Sequence, residues 1–445
     1  MSAPASRRRR LPLVAPLLLT AAYDAGCGAP ETAPSADRVG TLRQQVRPTD
    51  GTGWNGNGYG IPAKSYDPAG GHFRVYYVET GDQAVDLTDT TPKNGIPDFV
   101  ELVGLSAEAT YKSTVSERGF RPPLDDSIYH DRPDYGGDGR FDIYLRWAGK
   151  GSDGYRVIEA CTDGKDGKSA DRCAGYFVMN PSYKGTSYPT ELDGIQVLTS
   201  HELFHSLQDA YNVGQWRSFT EGSAVWNEIQ VFPSSPGTWR DYLGFLPAFF
   251  NEPERPLDQS MGAGAAASWA YATAVWFEFL HERYGATIVR EIWEGCEANP
   301  ADDAPHFLDA TQAVLKGRYQ TDLASAYTEF SRWNLLTAER GSDGRGYKRA
   351  REYPGVKFLP TVKTLGEVRA ADQYGLGARY FRFEPTLTKT ETLRLTVTDP
   401  ESKPPVAAAY VLRSGAQVPS QPTEIQNGSG DIVVSPGDAL LVVVT

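Results

Sequence analysis

Histidine and cysteine are scarce in this chain, with six of the first and four of the second among 445 residues. No two cysteines stand in a C-x-x-C pair, which argues against a zinc site built on thiolates. Positive charge is scarce as well. The formal net charge is −12, and no Lys/Arg-rich run follows Arg7–Arg10. Nucleic acid and anionic membrane surfaces are therefore poor partners, whereas divalent cations suit the balance. Long apolar runs are missing too, so no segment reads as a membrane-spanning helix.

Chain punctuation, by contrast, is abundant. The 31 prolines and 45 glycines imply many turns and long loops. A content of 40% hydrophobic and 22% charged residues describes an ordinary globular protein. Its length exceeds one ordinary core, so two domains are expected. Arg7–Arg10 followed by the short apolar run Leu11–Thr20 read as an export signal over residues 1–27. Cys27, after Ala25 and Gly26, resembles a lipoprotein cleavage site, although Asp24 stands where such sites usually carry an aliphatic residue. Plain cleavage and lipidation both place the mature chain outside the cytoplasm, secreted or at the cell envelope. A lipid anchor at Cys27 would be its one membrane contact. In an oxidising compartment Cys161 and Cys173 are expected to form a local disulfide across the polar stretch TDGKDGKSADR. Cys296 is left over as a buried free thiol.

Residues 28–70 are rich in Ala, Pro, Gly, Ser and Thr and read as a linker or pro-segment. A mixed α/β stretch follows. Strands are expected at His72–Thr80, Gly139–Gly149 and Ala174–Tyr183, and a helix at Pro97–Glu117. The strand Ala174–Tyr183 could pair with an extended substrate. From Leu192 the spacing turns helical. Asp193 with Gln196 suggests a capping box that opens a helix running to Asn212, and Ser218–Val231 reads as the next helix. Further helices are expected at Ala265–Tyr284, Ala286–Cys296, Ala304–Leu315 and Thr321–Glu339. Beyond Pro354 short β-rich runs separated by turns suggest a small all-β sandwich over residues 355–445.

His201 and His205 stand four apart in HELFH, so a helix puts both on one face. There they can ligate one Zn²⁺, with Glu202 placed to act on a water beside it. The continuation HExxHxxGxxH is absent, because position 208 is Gln and position 211 is Tyr. Glu221, in FTEGSAVW, follows after enough chain for a helix end, a turn and the start of a returning helix. Ser218 with Glu221 also fits a capping box, in which the glutamate would bond its own helix start. Spacing alone leaves both readings open. Glu228, two turns further on the same face, is another ligand candidate, or a partner of a ligand histidine.

HELFH followed by TEGSAVW resembles the glutamate zincins, the thermolysin-like group in which HExxH precedes a helix bearing Glu-Gly-x-Ala. Together with NGIPDFVE and GGDGRFDIYL, these segments resemble a family of secreted bacterial zinc metalloproteases. The resemblance implies an α+β fold with a zincin-like catalytic domain, mixed sheet plus helical subdomain, over residues 71–345. It implies His201, His205 and Glu221 as zinc ligands, Glu202 as general base, and hydrolysis of a protein or peptide substrate. Thermolysin-like chains often carry an acidic residue four positions past the ligand glutamate, where this chain has Val225. Asp209 or Glu228 would have to supply that carboxylate. Tyr271 resembles the oxyanion-stabilising tyrosine of this superfamily, although a core aromatic is the plainer reading. His306 and His281 are further candidates, His281 reading more simply as a helix C-terminal cap.

Two acidic loops suggest calcium. Around Gly95, Asn94, Asp98 and Glu101 fall at ligand positions, but Thr90 and Pro92 occupy the leading ones, which impairs the site unless Asp86 or Asp89 substitutes. DYGGDGRFD offers Asp134, Asp138 and Asp142. Ordinary polar turns are the plainer reading of both. A rival for the whole chain is a non-catalytic, calcium-stabilised surface adhesion or binding protein with a degenerate zincin core. The intact Glu202 argues against it.

Overall fold

A computed structural model describes residues 47–49, 58–125, 138–162, 172–257, 267–297, 307–364, 366, 375–398 and 405–445. The export signal, Cys27, Asp134 and His306 lie outside them. Five strands form a mixed sheet: β1 (Lys64–Tyr66), β2 (Phe73–Tyr77), β3 (Phe141–Leu145), β4 (Gly154–Thr162) and β5 (Arg172–Met179), in the order β1-β2-β3-β5-β4. The three inner strands run parallel, and each outer strand is antiparallel to its neighbour. Alternation in β2 sends Phe73, Val75 and Tyr77 into the core, while β3 is buried at every position. Cys161 and Cys173 face each other across the β4–β5 ladder and are disulfide-linked, with their Cα atoms 4.0 Å apart. Cys296 is a buried free thiol, as expected.

One face of this sheet is covered by α1 (Asp98–Tyr111) and α2 (Glu191–Asp209), which also pack on each other. The other face carries Tyr59, Tyr144, Tyr176 and Val178. After α2 the chain is helical: α3 (Arg217–Val231), α4 (Pro236–Asn251), α5 (Ala267–Ala272), α6 (Ala274–Tyr284), α7 (Ile288–Gly295), α8 (Phe307–Tyr319) and α9 (Leu323–Leu335). The expected helix Ala265–Tyr284 is broken at Thr273, whose hydroxyl bonds Ala270 O and, on the neighbouring helix, Ser218 O. The α4 helix was not anticipated, since Pro236, Gly237, Gly244 and Pro247 disguise its periodicity. Its start is tied to the start of α2 by Asp193, which accepts from Ser235 Oγ (2.8 Å) and Gly237 N (2.9 Å).

The C-terminal segment forms a four-stranded sheet and a two-stranded sheet. The first contains β6 (Arg379–Phe383), β8 (Ala407–Leu412), β9 (Thr423–Ile425) and β11 (Ala439–Val444). The second pairs β7 (Glu391–Thr396) with β10 (Ser429–Val434). Residues of both sheets, including Val411, Ile432, Val434 and Val442, share one apolar layer. The alternate residues Tyr380, Ala408, Tyr410 and Leu441 belong to the main core instead. Tyr380 donates from there to Ser331 O of α9 at 2.8 Å. The fold is thus α+β, with helices and several sheets. No described helix is long and apolar enough to cross a membrane.

Candidate metal centre

The α2 helix opens one turn earlier than the sequence suggests. Thr190 is its cap, accepting from Asp193 N at 3.1 Å, while the Thr190 hydroxyl donates to Asp193 Oδ2 at 2.7 Å. The capping pair is therefore Thr190 with Asp193, not Asp193 with Gln196. The helix then carries Ser200 to Asp209 entirely through the interior, with His201, Glu202 and His205 all buried. Opposite them lies α3. Its cap position is Trp216, so Ser218 is already inside the helix and Glu221 makes no capping box. That frees the glutamate to turn toward the histidines.

Three donor atoms converge. Glu221 Oε2 lies 3.3 Å from Nε2 of His201 and 3.3 Å from Nε2 of His205, and the two nitrogens are 3.1 Å apart. Ligands at about 2.0–2.2 Å from a tetrahedral ion stand about 3.3–3.6 Å from one another, so the triangle is close to what a zinc-sized ion requires. Among the described residues this is the group of three His, Cys, Asp or Glu side chains that could hold a metal. Burial alone would raise the Glu221 carboxyl. The His205 and His201 imidazoles outweigh it and hold that group well below the usual carboxylate range. The negative charge is thereby retained in the interior, where a cation could use it.

Both imidazoles are oriented from behind. His201 Nδ1 is 2.8 Å from Glu228 Oε1. His205 Nδ1 is 2.8 Å from Gln208 Oε1. The Gln208 amide cannot be turned round, because its Nε2 donates to Thr220 O at 2.8 Å, and also to Ser223 Oγ at 3.0 Å. Its carbonyl must then accept from His205, which fixes the proton on Nδ1 and the lone pair on Nε2, toward the cluster. Burial, reinforced by nearby Asp241, pushes the Glu228 carboxyl well above its ordinary value despite His201. Burial likewise lifts Asp241 to about 6.

The remaining expected residues divide clearly. Glu228 backs His201 and Asp209 does not, because Asp209 is paired with Arg156 at 3.1 Å. Tyr271 stacks over His201 with centroids 5.9 Å apart, and over Phe245 at 4.7 Å, so it flanks the cluster. His281 packs on Trp226 and is not part of the group of three. Glu202 lies against Gly154 at the start of β4, where an added Cβ would stand 3.6 Å from Glu202 Cγ. That places it between α2 and the outer strand. The strand expected to meet substrate, Ala174–Tyr183, corresponds to β5, which is hydrogen-bonded on both sides over Phe177–Met179. The outer strand on this side is β4.

The calcium expectations fare differently. Asp98 accepts from Thr90 N (2.9 Å) and Thr90 Oγ1 (2.6 Å) at the start of α1, and Glu101 accepts from Asn94 Nδ2 at 2.8 Å. Asp89 accepts from Gly95 N at 2.8 Å. Asp138 pairs with Arg140 at 2.7 Å and Arg74 at 3.2 Å. Asp142 sits in β3, buried, in an ion pair with Arg47. A carboxylate matched by arginine is a poor calcium ligand, and no group of three His, Cys, Asp or Glu side chains forms at either loop among the described residues, which do not include Asp134.

Two contributors escaped the sequence reading. Gln208 gave no signal beyond spoiling a different motif. Arg217 precedes Glu221 by one helical turn, a spacing that could have flagged an i,i+4 pair. Gly222 has a packing role, since a Cβ there would fall 2.1 Å from Thr273 Oγ1. Compared with models of known protein families and with curated proteins, the chain matches none.

Proposed function

We propose that this chain is an exported zinc metallopeptidase of the glutamate-zincin type. The observation that carries the reading is the buried His201–His205–Glu221 triangle with Glu202 on the same helix as the two histidines. Zinc held there would supply Lewis-acid activation of water and of the scissile carbonyl. The protein's own groups do the rest. Glu202 accepts a proton from the attacking water at its carboxylate and returns it to the leaving amine. Tyr271, whose ring stacks beside His201, would donate a hydrogen bond from its hydroxyl to the developing oxyanion. An extended peptide would lie along β4, whose first residue, Gly154, lies against Glu202. The Cys161–Cys173 disulfide fits an oxidising compartment. The test is zinc analysis together with peptide-library digestion by the parent and a Glu202→Gln variant. Zinc in both with hydrolysis confined to the parent supports the reading, and a parent that lacks either zinc or hydrolysis sinks it.

A further inference from the structure

The Glu221 carboxylate is divided between two tasks. Oε2 faces both imidazoles at 3.3 Å, and Oε1 accepts from Arg217 Nε at 3.2 Å. The same guanidinium reaches Tyr271 OH with its NH2 group at 3.5 Å, and lies 5.9 Å from the Tyr271 ring centroid. Arg217 and Glu221 occupy successive turns at the start of α3, so their relative placement is set by the helix itself. The glutamate side chain is only 7% exposed, while that of the arginine is 22% exposed. Without Arg217, Oε1 would be an unsatisfied buried anion, free to rotate about the terminal torsion and present either oxygen to the histidines.

We propose that Arg217 is the positioning residue of this metal centre, fixing Glu221 as a one-oxygen ligand and linking it to the Tyr271 hydroxyl. The proposal rests on the reading of the cluster as a zinc site. Two effects of Arg217 oppose each other. Its hydrogen bond orients the ligand and favours metal, whereas its positive charge repels a cation. Substitution can separate them. Glutamine places an N–H at the same distance along the side chain as Arg Nε but carries no charge. Methionine has the same length and no donor.

The experiment is zinc affinity by competition with a chromophoric chelator, on the full chain as parent, Arg217→Met and Arg217→Gln. Thermal unfolding of the metal-free proteins serves as the folding control. Arg217→Met is expected to bind zinc about 10–100-fold more weakly, and Arg217→Gln to stay close to the parent. Cobalt substituted for zinc should show an altered visible spectrum in Arg217→Met only, as its carboxylate changes mode. If Arg217→Met does not fold, Arg217→Leu replaces it with the same expectation, because leucine likewise carries neither donor nor charge. Equal or tighter binding by Arg217→Met overturns the proposal, and so does glutamine failing alongside methionine. A parent that binds no zinc overturns the metal reading as well.

Discussion

Replacing Gly222 by alanine sets two well-defined effects against each other. On an isolated helix the change would be favourable by about 1 kcal/mol, because glycine is the poorer helix former. Here α3 crosses the junction of α5 and α6. The added Cβ would lie 2.1 Å from Thr273 Oγ1, 3.0 Å from Thr273 C and 3.1 Å from Ala274 N. The hydroxyl is anchored to Ala270 O at 2.7 Å and also to Ser218 O, and two of the three atoms are backbone, so little can give. Overpacking costs about 1–3 kcal/mol, and a contact this short belongs at the upper end. The net expectation is a loss of about 2 kcal/mol in denaturant unfolding of the metal-free protein. Because Glu221 is the adjacent residue, any retreat of α3 carries the proposed ligand with it, so zinc affinity should fall too. A Thr273→Ala background removes the nearest atom but not the backbone. It should recover part of the loss as a coupling of about 0.5–3 kcal/mol. A Gly222→Ala variant as stable as the parent, or more stable, would refute the packing argument.

Opening the Cys161–Cys173 bond closes off no chemistry, but it frees a loop with a sequence separation of 12. The Cys161→Ser/Cys173→Ser pair should lose about 3 kcal/mol in denaturant titration and keep its zinc affinity; a loss below about 1 kcal/mol would contradict this. His281 should make the protein acid-sensitive. Burial, then Lys348 and Arg118, hold its folded pKa at about 4, below the ordinary 6.5. The unfolded chain thus takes up a proton first as pH falls from 6.5 to 4, and stability drops across that window. Discounted for its partial exposure, the effect is about 2 kcal/mol. His281→Gln should flatten the stability curve there, and an unchanged slope would remove the explanation.

What could be read from the sequence was what is local. The HELFH spacing announces a helix face, and the parts of the candidate metal group on α2 follow from periodicity alone. Glu221 was ambiguous because a capping box and a ligand glutamate share one spacing. The capping-box reading ends with the helix beginning at Arg217, two residues too early for Ser218 to cap it. Of the orienting partners, Glu228 was legible as one of two alternatives, the partner of a ligand histidine, whereas Gln208 and Arg217 were not. Glu228 meets His201 across 27 residues, and Arg217 reaches Tyr271 across 54, distances that only the packing of α2, α3 and α5 closes. Asp142 looked like part of a cation loop because its arginine partner, Arg47, comes from a distant segment, whereas Asp138 is paired both with distant Arg74 and with Arg140 two residues on. The outer strand β4 was overlooked because its polar alternation in GYRVIEACT resembles a loop until β5 pairs with it.

The central claim, that a glutamate beside a zinc-holding triad carries out peptide hydrolysis, is tested most directly by one paired measurement. Zinc stoichiometry and hydrolysis of a broad peptide library are followed for the parent and for Glu202→Gln. Glutamine keeps the size and polarity of the buried side chain but cannot accept the proton. The expected result is one zinc per chain in both proteins, with hydrolysis lower in the variant by about 10²–10⁴-fold. Equal hydrolysis by the two would contradict the mechanism. Equal inactivity with zinc bound would contradict the enzyme itself and leave a metal-stabilised binding protein.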